Sequence, residues 1–134
     1  MLALGIIVAV AILLVAITSG HSGVGGRGNS RRAFEQADAL LLKAEGAMMR
    51  GQYDAAYSLY AQVPRLAVQS GCYLFEAEAF YGMARIHEKK GDLPAARQAL
   101  ESALANRKMW ADEKPNFERL ISNMLDDVNR KLPK

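Results

Sequence analysis

An enzyme needs a nucleophile, a base or a metal set brought together by spacing, and the residues capable of such work are few here. The 134-residue sequence has one cysteine and two histidines. A lone Cys72 rules out an intramolecular disulfide framework and a cysteine-only metal cluster. Nothing basic adjoins it, so it reads as an inert thiol. His21 stands in a glycine-rich stretch without the convergent ligands a metal site requires. His87, one turn before Gly91, reads as a packing residue against Leu93 or a neighbouring helix. Glu76 and Glu78 form a carboxylate pair, but two residues apart on a helix they point to different faces and cannot act together. There is no glycine-rich phosphate loop, no HExxH and no CxxC. The expectation is therefore no enzyme, no catalytic or metal residue and no cofactor. Binding is what remains. Met109 and Trp110, before the last helix, could anchor a partner or pack under their loop.

Charge narrows the class of partner. Residues 1–26 carry no Asp, Glu, Lys or Arg, and Arg27, Arg31 and Arg32 account for the whole net charge of +3. From Ala33 onward acidic and basic residues balance, which argues against a nucleic-acid footprint despite the basic pI. The apolar run over residues 1–17 is followed by Thr18, Ser19 and Gly20. A helix of that length spans roughly 26–30 Å, close to a bilayer's hydrocarbon thickness. The expectation is a retained single-pass transmembrane anchor over residues 1–20. A cleaved signal peptide and export is the alternative, disfavoured by the missing basic n-region. The arginines after the run place the following domain on the cytoplasmic side. Residues 21–32, with several glycines and serines, read as a flexible linker.

Beyond the linker the apolar spacing is that of amphipathic helices. Ala37, Leu40, Leu41, Ala44, Ala47 and Met48 recur at threes and fours over residues 33–50, and Gly51 caps that helix. A second helix starts at Tyr53, is kinked or ended by Pro64, and continues briefly to Gly71. A third covers about residues 73–90 and is closed by Gly91, with Pro94 in the first turn of a fourth over residues 93–105. The last, about residues 112–131, has the cleanest stripe: Phe117, Leu120, Ile121, Met124, Leu125, Val128 and Leu132. No alternating strand pattern appears, so the domain over residues 33–134 is expected to be all-α.

The hairpins repeat. Gly51 and Gly91 lie 40 residues apart, and Ala44, Gly51, Tyr53, Ala56, Tyr60 and Val63 align with Ala84, Gly91, Leu93, Ala96, Leu100 and Ala103. GQYDAA and GDLPAA are the same turn. At these residues the chain resembles the tetratricopeptide repeat family, in which a small residue, a glycine, an alanine and a large apolar residue recur at these offsets. The period exceeds the family's usual ~34 residues and is similar to the extended variant of kinesin light chains. The family's terminal proline is absent from its expected place, and Leu40 and Phe80 stand where tryptophan is common. Alanine pairs let two antiparallel helices approach closely, while Tyr60 and Leu100 fill the space beside them. The reading is two hairpins, about residues 33–70 and 73–106, with a capping helix whose outer side bears Glu118, Asn123, Asp127 and Arg130. The first hairpin lacks an equivalent cap, which leaves a face for a partner or a second copy. A generic helical bundle with similar turns is the competing architecture.

The resemblance implies that the first helix of each hairpin lines a concave groove. Its candidates are Asp38, Leu41, Glu45 and Met48, then Glu78, Tyr81, Arg85, Glu88 and Lys89. Mixed charge around Tyr81 and Met48 suits a bound peptide or helix; the plainer reading is a solvated charged face. The family's best-known groove holds a terminal carboxylate with lysine and asparagine, and Asp38, Glu45 and Glu78 do not fit that activity. The functional expectation is a membrane-anchored protein-interaction module that scaffolds a membrane complex. The alternative is an accessory subunit held in such a complex by its apolar helix.

Overall fold

The computed structural model describes residues 26–133, with side chains from residue 28. Helix α1 runs Gly26–Met49, α2 Tyr53–Ala61, α3 Val63–Ser70, α4 Tyr73–Lys89 and α5 Leu93–Leu104; a 3-10 turn at Arg107–Met109 leads to α6, Pro115–Lys131. The described residues are helical and contain no strand.

Three readings are corrected. The fold class that put a transmembrane helix before the hairpins is not upheld: among the described residues no helix is long and apolar enough to cross a membrane. Even α1, the longest at 24 residues, carries Arg31, Arg32, Glu35, Asp38, Lys43 and Glu45. Residues 1–20, where the anchor was expected, lie outside the described residues. Second, the stretch taken as linker is helical from Gly26 onward. Ala33, four residues from Asn29, is already buried in the core, and Arg31 pairs with Glu35 across one turn at 3.1 Å. Third, the second helix is two. It ends at Ala61, and α3 begins at Val63 with Pro64 in its first turn, where a missing N–H costs nothing.

Three turns share one geometry. Gly51, Gly71 and Gly91 have φ of 72°, 74° and 79°, the left-handed region that only glycine enters cheaply. At each, the glycine N–H donates to the carbonyl three residues back, and the next residue's N–H to the one five back: Gln52 to Ala47, Cys72 to Ala67 and Asp92 to His87, all at 2.9 Å. This double bond pattern satisfies the last carbonyls of a helix and reverses the chain. The turns recur every 20 residues, so Gly71 belongs to the same series as Gly51 and Gly91. Asp92 alone adds a side-chain cap, accepting from the Ala95 N–H at 3.2 Å.

The helices enclose two apolar clusters that share α4 as a wall. Ala79, Met83 and Ile86 face the first, which holds Ala44, Ala56, Tyr60, Val63 and Leu66; Ala77 and Ala84 face the second, which holds Ala96, Leu100, Trp110, Ile121 and Val128. Phe80 touches both. Ala44, Ala56, Ala84 and Ala96 are all fully buried, so the helix axes meet on methyl groups at matching positions in both hairpins. Helix α6 packs on α5 and closes the second hairpin. It starts at Pro115 rather than near Asp112, because the N–H groups of Glu113 and Lys114 both turn back to the Trp110 carbonyl.

Candidate functional site

Helix α1 offers different residues on different flanks. Ala33, Ala37, Ala44 and Ala47 form its buried stripe, while Asp38 and Glu45 lie on the flank nearest α4. On α4, the i, i+3, i+7 spacing places Glu78, Tyr81 and Arg85 on one face. The two faces meet at Glu45. Its Oε2 accepts a short hydrogen bond from the Tyr60 hydroxyl, and its Oε1 accepts one from Arg85 Nη1 at 3.2 Å. One carboxylate thus ties α1 to α2 and to α4.

The Tyr60 ring reaches that point through a slot. It is 2% exposed, and it lies over Gly82: a Cβ there would overlap the ring atoms. A mid-helix glycine costs about 1 kcal/mol relative to alanine, which close approach must offset. Burial of the phenol, then the Glu45 carboxylate beside it, pushes the Tyr60 pKa well above its usual range, so the hydroxyl stays a donor.

Arg85 also lies over the Tyr81 ring, 5.7 Å from its centroid. Tyr81 meets Phe117 edge-on at 5.5 Å, and Phe117 meets Trp110 at 5.4 Å. The site is therefore braced from behind by α6. Glu78 is half-buried, and burial raises its carboxyl pKa first of all; Lys114 pulls it back while Asp38 and Glu45 push it up. Asp38, Glu45 and Glu78 thus share one electrostatic neighbourhood, with Arg85 and Lys114 as its cations.

The remaining predicted residues lie elsewhere. Met48 is buried in the first core and does not line a groove, and Leu41 is half-buried against the same cluster. Lys89, at the end of α4, sits over the Tyr53 ring at 5.8 Å, and Lys90 pairs with Asp54 next to it. Glu88 looks towards the end of α6, where its charge acts on Lys131. Glu76 leaves Glu78 alone: it accepts from Asn106 Nδ2 at 2.8 Å on the other side of α4. His87 stacks edge-on against Tyr57 at 5.2 Å, and burial, assisted by Lys90 and opposed by Asp92, lowers its pKa. Cys72 is half-buried ahead of α4, and Trp110 is buried with its indole N–H unpartnered among the described residues, while Met109 is exposed. Among the described residues no three His, Cys, Asp or Glu side chains converge as a metal site would require.

Sequence reading missed Tyr60, Gly82 and Lys114 as parts of this site. Gly82, a glycine within a helical pattern, was the available signal for a close approach. What the arrangement offers chemically is an anion-rich, aromatic-backed surface. Compared with known proteins, the chain matches no family model, and no curated protein or solved structure is significantly similar to it.

Proposed function

We propose that this chain is a helical-repeat interaction module of the tetratricopeptide type, acting as a scaffold by holding a basic peptide segment against α1 and α4. The observation that carries the reading is the meeting of Asp38, Glu45 and Glu78 beside Arg85 and Tyr81. Glu45 is already engaged by Arg85 and Tyr60, whereas Asp38 and the partly desolvated Glu78, which feels Lys114 only at longer range, form no direct ion pair with a described residue. A lysine or arginine from a partner would meet both, with its aliphatic stem against Tyr81. The role is binding rather than catalysis. Support for the repeat reading comes from the shared turn at Gly51 and Gly91 and the matched alanine contacts of both hairpins.

The test is fluorescence anisotropy of the full-length chain with a labelled peptide of mixed Lys and Leu. Asp38→Lys with Glu78→Lys should weaken binding by about tenfold, in keeping with the loss and reversal of two interfacial charges. Unchanged binding with helicity intact refutes the reading.

A further inference from the structure

Among the described residues, the edge of the first hairpin holds a cleft whose character is opposite to that of the α1–α4 face. Where α2 gives way to α3 at Gln62, the two helices and α1 leave an open cleft of about 590 Å³. Its floor is apolar, with Leu40 and Leu66; its rim is polar, with Gln36, Lys43, Gln62 and Arg65. No carboxylate lines it. Neither Lys43 nor Arg65 forms an ion pair with a described residue, as is also true of several other cations outside the cleft. The nearby Glu35 is taken up by Arg31.

We infer that this cleft is a docking site for an acidic peptide segment. The two cations match a carboxylate side chain, and charge complementarity of this sort selects partners by sign. The apolar floor matches a neighbouring aliphatic residue, which a bare inorganic anion lacks. The two glutamines match a peptide backbone, because each amide both donates and accepts. Gln62 spends one N–H on the Ser58 carbonyl at 3.1 Å and keeps the other N–H and its oxygen for a ligand. The cleft lies at the end of the stack that α6 does not cover, so a bound segment would cover the first hairpin as α6 covers the second. The chain would then hold a basic segment on one side of α1 and an acidic one on the other.

The experiment measures binding of the full-length chain to a labelled peptide of Glu and Leu, against a Gln and Leu peptide of equal length. The Glu peptide should bind, weaken as salt rises, and resist displacement by inorganic phosphate. Lys43→Glu with Arg65→Glu should weaken it by about tenfold or more, and Lys43→Gln with Arg65→Gln by less. Asp38→Asn with Glu78→Gln, which adds no cation, should not weaken it, which separates this site from the α1–α4 face. Circular dichroism confirms that each variant is folded. The inference is overturned if the Gln peptide binds equally, if phosphate displaces the Glu peptide, or if the Lys43 and Arg65 variants bind as the parent does. It is also overturned if those variants convert a self-associated chain to monomer, which would make the occupant a second copy.

Discussion

The two hairpins place different residues at one equivalent position. Forty residues apart, Tyr60 and Leu100 each fill the space beside an alanine pair, and both are buried. Leu100 is apolar throughout and sits in a cluster completed by Trp110, Ile121 and Val128. Tyr60 carries a hydroxyl, needs Gly82 as a slot for its ring, and delivers its polar tip to Glu45. The same backbone solution therefore serves a closed core in one repeat and a core wired to the surface in the other. The difference extends to the ends of the stack: α6 covers the second hairpin, while the first presents an open, basic-rimmed cleft. Among the described residues, one end of the stack is therefore closed by a packed helix and the other is not.

The sharpest way to break that comparison is to empty each core in turn. Leu100→Ala should destabilise by about 2–5 kcal/mol in chemical denaturation, the range for a buried leucine that leaves a cavity, without altering peptide binding at the α1–α4 face. Next, Gly82→Ala forces a methyl into the Tyr60 ring and should cost about 1–3 kcal/mol, the overpacking range. Tyr60→Leu makes the first hairpin resemble the second, and in the double variant the Gly82→Ala penalty should shrink; a fully additive cycle would show that the ring and the glycine are not coupled. Tyr60→Phe keeps the ring and removes only the donor to Glu45. Because Glu45 is half-exposed, water replaces the lost partner and the cost should be about 1 kcal/mol.

The smallest effect has a pH signature. Glu78's pKa is raised by burial, so its folded form holds a proton more tightly than the unfolded chain does. Stability contributed by this group therefore falls as pH rises through the carboxylate range, since the folded state binds more protons there. Glu78→Gln should raise Tm slightly at neutral pH, and the gain should vanish below the ordinary carboxylate pKa. A gain that persists unchanged in acid would mean that charge is not its origin.

Legibility followed the range of the interaction. The helices of α4 and α5 could be read from apolar spacing and from glycines, because turn geometry and amphipathic period are local properties. The beginning of α1 could not. Its glycines and serines have weak helix propensity, which packing of Ala33 and Ala37 outweighs. Met48 and Glu45 sit in adjacent turns of the same helix, yet one is buried and the other reaches solvent and Arg85. Periodicity alone left that division open, since it depends on which side α4 approaches.

Helix type and turn positions were written in residue order, where each decision involves neighbours within about one turn. The site was not. Glu45 meets Tyr60 fifteen residues on and Arg85 forty residues on, and the Tyr60 ring rests on Gly82. Those partners meet only once three helices have packed, because hydrogen bonds and van der Waals contact act over a few ångströms and carry no information about chain separation.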